Sequence, residues 1–411
     1  MFKKINDFKK DAFVRGSLAL FIMINIFNFL NYFFHFSMAR LLGPADYGIL
    51  TVLMSFVYIF YIPSEAIQTI VTKYVSRLNI KNESGKIKDL TYRSLKKGFR
   101  YSIFLFLLFL PFAFFLSIFL NIDFLLLIIT STILFYVFSI SIMRGVLQGK
   151  KKFTWLGINM IIESLFKVLL AIAFVLVGWK VYGAIGGLLM ASLIALFSIF
   201  FAINEILISK KEKTDFNEAY SYGIPVLIAT ISIVLFYSLD IILVKGFFTD
   251  ELAGKYAVAS MLGKIIFFGT SAIGKTMFPL TSEIHEKGKD PLKILIRALE
   301  IVSILSVIAL IIYLFFPKLI IGVLFGPEYV SISNILFIIG LAFTFLSISY
   351  VIILYNLSIN KTKKLSVILP SFVILLIVLL SIFHSSLIQF SIIVLIINFL
   401  VFIYSLFLLK K

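Results

Sequence analysis

Seven charged side chains interrupt stretches that are otherwise apolar: Glu65, Lys73, Glu163, Lys167, Asp240, Lys264 and Lys275. A charge at the centre of a hydrocarbon layer costs roughly 2.5–3.5 kcal/mol, so such groups face a protein interior or a water-filled cavity. Lysines in that setting can hold an anion, a phosphate above all. Carboxylates there can bind and release H+ or Na+, because burial and neighbouring charges move their affinity for protons. The set pairs no nucleophile with a base and gathers no metal ligands. The chemistry it indicates is the holding of ions and polar groups, with no catalytic residue and no metal site.

Polar residues accompany these charges at helical spacing. Tyr58, Tyr61, Glu65, Thr69, Thr72 and Ser76 fall on one face, as do Asn28, Tyr32 and His35. Tyr237 and Asp240 share a looser stripe with Thr230. Lys264 and Lys275 are eleven residues apart, which in a helix is a net rotation of about 20°. Four such stripes would line a hydrated cavity. Each also has a plainer reading. Asn and Thr positions can serve as hydrogen-bonding glue between helices. Glu163 and Lys167, at i and i+4 with the acid first, can neutralise each other. Lys73 can snorkel to headgroups, and Asp240 can pair with Lys245 or Lys264. Pro63, two residues before Glu65, predicts a bend beside a carboxylate.

The elements that carry these residues are apolar runs of about twenty residues, long enough at ~1.5 Å per residue to cross ~30 Å of hydrocarbon. Twelve are predicted, at roughly 13–36, 49–76, 100–120, 124–144, 154–178, 183–206, 223–245, 255–281, 296–316, 331–357, 365–383 and 390–409. The fold class is therefore all-α and polytopic. Hydrophobic residues make up 61% of the 411 and charged ones 14%, against ~45–50% apolar in soluble domains. A soluble core could not hide that surface; lipid can.

The net charge of +18 suggests nucleic acid until the basic residues are placed. Twenty-nine Lys and Arg lie in alternate gaps, including four in 144–152; five lie in the opposite gaps, and four lie inside spans. That asymmetry is the positive-inside pattern. It puts both termini in the cytoplasm, predicts attraction to anionic membrane lipids, and leaves no case for a nucleic-acid partner. There is no cysteine, hence no disulfide or thiolate. No polar segment exceeds about 25 residues and no phosphate-cradling G-x-x-x-x-G-K-[ST] occurs, so an enzyme is not expected. The first apolar stretch is too long for a signal-peptide core and should remain as a span.

A polar gap near 207–222 divides the twelve spans into six and six, giving lobes at 1–208 and 209–411. The halves align at an offset of 206, placing Gly48 on Gly254, Val52 on Val258, Ile59 on Ile265 and Ala66 on Ala272. An internal repeat of this kind is common in carriers.

Five landmarks occur in order along the chain: ARLLGPADYG (39–48), RGVLQGKKKF (144–153), Asp240, LFGPEY (324–329) and NLSINKTKK (356–364). Together they resemble the polysaccharide-export flippases, the O-antigen and teichoic-acid exporters of the multidrug/oligosaccharidyl-lipid/polysaccharide superfamily. The resemblance implies a twelve-helix, two-lobed, V-shaped carrier in the cytoplasmic membrane whose inner helices are the first, second, seventh and eighth. It implies transfer of a polyisoprenoid-(di)phosphate-linked oligosaccharide from the cytoplasmic to the outer leaflet by alternating access, with glycosyltransferases or a polymerase of the same pathway as further partners. On that reading Lys264, Lys275, Lys167 and Lys73 meet phosphate or sugar, aided by Tyr58, Tyr61, Asn28 and Tyr237. Glu65, Asp240 and Glu163 couple transport to H+ or Na+, with no other cofactor. A drug or metabolite/cation antiporter of the same superfamily is the rival; it would favour acids, whereas here four lysines stand against three. A membrane glycosyltransferase or polymerase would need a larger outer loop than 317–330 and an acidic site. The peptidoglycan-precursor flippases usually carry extra helices.

Overall fold

The computed structural model describes residues 12–208, 210–213, 223–359, 361 and 363–409. Both termini, and the membrane side assigned to them, lie outside these residues. Ten helical stretches are long and apolar enough to cross a membrane, and no strand is present among the described residues. Two of the ten are broken within. The helix Ala12–Ile80 is interrupted at Gly43, at φ 72° and ψ 174°, a conformation open to glycine because it has no Cβ. Pro44 restarts it, as a first-turn proline can. The stretch Phe153–Ala202 breaks at Gly178, φ 99°.

Twelve spans result: α1 (12–42), α2 (44–80), α3 (Ser84–Leu120), α4 (Phe124–Gly149), α5 (Phe153–Phe174), α6 (Lys180–Ala202), α7 (Gly223–Phe247), α8 (Asp250–Glu286), α9 (Leu292–Phe315), α10 (Ser333–Ser358), α11 (Lys363–Ile382) and α12 (Leu387–Phe407). A short helix Pro317–Leu324 and a 3-10 turn Pro327–Ile332 join α9 to α10. Backbone dihedrals stay helical through Pro63.

The chain forms two compact units. The first holds α1, the part of α2 from Phe56 onward, and α3–α6. The second holds α7–α12 together with Gly43–Ser55. Thirteen residues from the first half of the sequence, Gly43–Ser55, thus pack with the second unit.

The first unit is centred on Val71, Val75, Ile142, Val146, Leu147 and Ile199. Its second landmark, RGVLQG, is in part a packing device. A Cβ on Gly145 or Gly149 would lie 2.8 Å or less from the backbone or side chains of α2. Gln148 accepts from Gln68 at 3.2 Å and Thr72 at 3.3 Å. In the second unit, Tyr47 is fully buried against Phe325 and Tyr329 of LFGPEY, at ring separations of 6.3 and 6.1 Å. Two landmarks nearly 280 residues apart are thus one aromatic cluster. Gly48 and Gly254, aligned by the internal repeat, meet there: a Cβ on Gly48 would fall 2.9 Å from the Gly254 nitrogen.

Burial separates inner from outer helices. The most apolar window of α8 is 72% buried, against 22% in α3 and α9. Helix α10 holds no Asp, Glu, Lys or Arg, yet its span is 67% buried, with Phe343, Leu346 and Val351 in the core. Absence of charge does not make a helix peripheral, since van der Waals packing alone places it.

Candidate functional site

Each unit carries a buried polar cluster, and a further set of the predicted residues is exposed. In the first unit, α5 presents Asn159, Glu163 and Lys167 along one buried stripe at i, i+4 and i+8. The sequence pairs Glu163 with Lys167; the structure pairs it with Arg144. The guanidinium Nη2 of Arg144 lies 2.6 Å from Glu163 Oε2, and both side chains are under a tenth exposed. Arg144 Nε donates to Asn159 Oδ1 at 2.8 Å. Asn159 Nδ2 in turn donates to Ala195 O and Ser198 Oγ on α6, at 2.7 and 2.8 Å. The other carboxylate oxygen accepts from Tyr61 and Ser192, each at 3.3 Å.

Sequence reasoning missed Arg144, placing it in a cytoplasmic gap because hydropathy ends a span at the first strong charge. Helix α4 runs on to Gly149, which carries Arg144 inside. The signal was present: Glu163 needs a buried cation, and RGVLQG had been noted as a landmark.

Lys167 has different company. Its ammonium donates to Asn31 Oδ1 of α1 and stands 4.6 Å over the Phe34 ring. Asn31 is fixed by its own bond to Phe27 O, 2.8 Å. Among the described residues no carboxylate lies within ion-pairing distance of Lys167, which is buried.

In the second unit the cluster is centred on Asp240 of α7, which is fully buried. Ser260 and Tyr256 of α8 donate to its Oδ2 at 2.5 and 3.4 Å. Its Oδ1 has no hydrogen-bond partner among the described residues. Lys264, one turn beyond Ser260 and also buried, is electrostatically coupled to Asp240. Lys245, the other partner expected for Asp240, pairs instead with Asp250 at 2.6 Å. Tyr237 is buried one turn before Asp240, with its ring 5.4 and 5.3 Å from those of Phe267 and Phe268.

The remaining predicted residues stay in the open. Asn28, Glu65, Lys73 and Lys275 are exposed, while Tyr58 and Tyr61 are half-buried. Glu65, Lys73 and Lys275 form no ion pair with any described residue. The lysine stripe of α8 is therefore split: Lys264 points into its own unit and Lys275 out of it, despite the small rotation between them.

A family of proteins described as polysaccharide biosynthesis protein matches residues 37–334, which is most of the chain. The chain belongs to this family. The match takes in every predicted site residue except Asn28, and it includes Arg144. Among the relatives of this chain, an uncharacterized membrane protein of Methanocaldococcus jannaschii is 29% identical over 259 residues, covering 54% of this chain and 59% of its own. A second uncharacterized membrane protein of that organism is 29% identical over 150 residues, 36% of this chain and 29% of its own. The chain thus spans less than two thirds of the curated relatives it matches. Its fold is that of an inward-facing multidrug resistance MATE family transporter of the MOP superfamily (TM-score 0.75, 12% identity, 95% and 97% of the two chains). The lipid II flippase MurJ in an inward closed conformation is similar too (TM-score 0.71, 16% identity, 97% and 88%). At these identities the likeness is one of fold.

Proposed function

We propose that this family member is a flippase that carries a polyisoprenoid-(di)phosphate-linked oligosaccharide from the cytoplasmic to the outer leaflet of the cell membrane, both termini remaining in the cytoplasm. The observation that carries the reading is the exposed set Asn28, Glu65, Lys73 and Lys275 on spans of a polysaccharide biosynthesis protein. Ionised side chains left unpaired on membrane helices are costly and are kept where water and substrate reach them. Lys73 in the first unit and Lys275 in the second each offer a cation to an anionic substrate; Asn28 and Tyr58 offer hydrogen bonds to sugar, while Tyr61 donates to Glu163. Fold likeness to lipid II flippase MurJ supports a carrier that handles a lipid-linked substrate.

Asp240 is the residue we assign to coupling. A buried carboxylate with one oxygen satisfied and one open has the valence left for H+ or Na+. Glu65, exposed beside Pro63, is the second. Glu163 is held by Arg144, Tyr61 and Ser192, and its part is positional. Lys264 is the cation that answers Asp240.

The experiment is a leaflet-transfer assay in liposomes holding the purified protein and a fluorescent polyprenyl-diphosphate oligosaccharide. Wild type should expose the label to an impermeant quencher, and Lys275→Ala should abolish transfer at unchanged protein recovery. Equal transfer by Lys73→Gln/Lys275→Gln protein would overturn the assignment of these lysines. Transfer by no form of the protein would overturn the flippase reading.

A further inference from the structure

We infer that Arg144 is a positioning residue: by taking Glu163 for itself, it keeps Lys167 available as the receptor for an anionic phosphate of the lipid carrier. The inference rests on the flippase reading above and adds a recognition element buried inside the first unit.

Glu163 and Lys167 stand on one helix at i and i+4 with the acid first, the order in which such a pair forms unaided. Left alone, α5 would neutralise itself. Arg144 prevents this from the neighbouring helix. It occupies Oε2 of Glu163 at 2.6 Å, while Tyr61 and Ser192 occupy Oε1. Arg144 is itself aimed by Asn159, whose carboxamide is anchored to α6. Both oxygens of the carboxylate are thereby engaged. Lys167 is left with a neutral carboxamide oxygen and an aromatic face.

Lys167 touches only neutral groups, and Glu163, which acts on it through space, is already held by Arg144; such a buried cation is electrostatically unfinished, since desolvation is repaid in full only by a closely paired opposite charge. A phosphate oxygen has the size and geometry of the Asn31 Oδ1 it would replace, and it adds the missing charge. The exchange is one acceptor for another at the same ammonium. The two groups that touch the ammonium, Asn31 and Phe34, both belong to α1. A sugar hydroxyl would gain no such advantage over Asn31, so the site discriminates by charge.

The test compares binding of a polyprenyl monophosphate and of the matching uncharged polyprenol to the purified full chain in detergent, with thermal unfolding recorded for each variant. Wild type should prefer the phosphate. Arg144→Gln frees Glu163 to pair with Lys167 and should reduce that preference by about tenfold or more. Arg144→Gln/Glu163→Gln should recover it, because Lys167 is again uncompensated, and Arg144→Lys should retain part of it. A structural role alone would leave the preference ratio unchanged and would not be rescued by the double change. Preference for phosphate undiminished in folded Arg144→Gln, or not recovered in the folded double variant, overturns the inference while leaving the flippase reading intact. A wild type that binds both lipids equally overturns the lipid-phosphate reading itself.

Discussion

Gly254 has no room for a methyl group. A Cβ there would stand 1.7 Å from the Pro44 carbonyl oxygen, a backbone atom that cannot rotate away. Gly254→Ala should lower stability by at least about 2 kcal/mol, visible as a fall in melting temperature in detergent. Gly269, on the same helix, has nothing within 4 Å of a built Cβ. Gly269→Ala should be neutral or raise stability by roughly 0.5–1 kcal/mol, so the pair of variants separates close packing from helix propensity. The two lysines of α8 should separate as well. Lys264→Ala strands a fully buried Asp240 and should cost about 3–5 kcal/mol, with recovery in Asp240→Asn/Lys264→Gln. Lys275→Ala should change stability by no more than about 0.5 kcal/mol and act on transport alone. The sequence singled out both residues, because a lysine in an apolar run is conspicuous. Which of them is buried depends on the neighbours of α8 and is written in no spacing.

At the scale of elements, hydropathy located the long apolar helices, ten unbroken or kinked stretches among the described residues, because lipid selects for length and apolarity and nothing subtler. It could not locate their ends. Helix α3 has 37 residues, so about 55 Å of rod exceeds the ~30 Å hydrocarbon layer. Polar turns at a rod's end read as loop. The same blindness put Arg144 in a loop, though it is buried within a helix, and left Glu163 with the wrong partner. The prediction for sidedness is direct, since no native cysteine interferes. Cysteines at Ala45 and Glu328, both exposed and in Lys/Arg-poor gaps, should react with an impermeant reagent added outside intact cells. Cysteines at Asn82 and Lys289 should react only after permeabilisation. Labelling of Asn82→Cys from outside would reverse the assignment.

For the molecule as a whole, transport that draws on an ion gradient needs a group whose occupancy differs between states and so biases their populations. Asp240→Asn removes the open carboxylate oxygen while keeping an acceptor for Ser260. It should fold, move its substrate down a concentration gradient, and ignore an imposed H+ or Na+ gradient in liposomes. Full gradient dependence in this variant would shift the coupling role to Glu65, where Glu65→Gln provides the matching measurement. The internal repeat, legible as one aligned glycine pair and a few aliphatics, includes a pair that touches. Its two halves are not closed modules, because one of them is completed by residues from the other.

That last feature sets a schedule for biosynthesis. Tyr47 and Gly48 leave the ribosome long before Gly254, Phe325 and Tyr329 exist; at 5–20 residues per second the gap is roughly 10–60 s. During that interval the segment 43–55 lacks the partners it packs with in the finished second unit, Tyr47 being without Phe325 and Tyr329. Every newly made copy therefore passes through this unfinished form, whatever the stability of the finished protein. Slowing translation through the second half should lower yield without altering the melting temperature of the copies that survive.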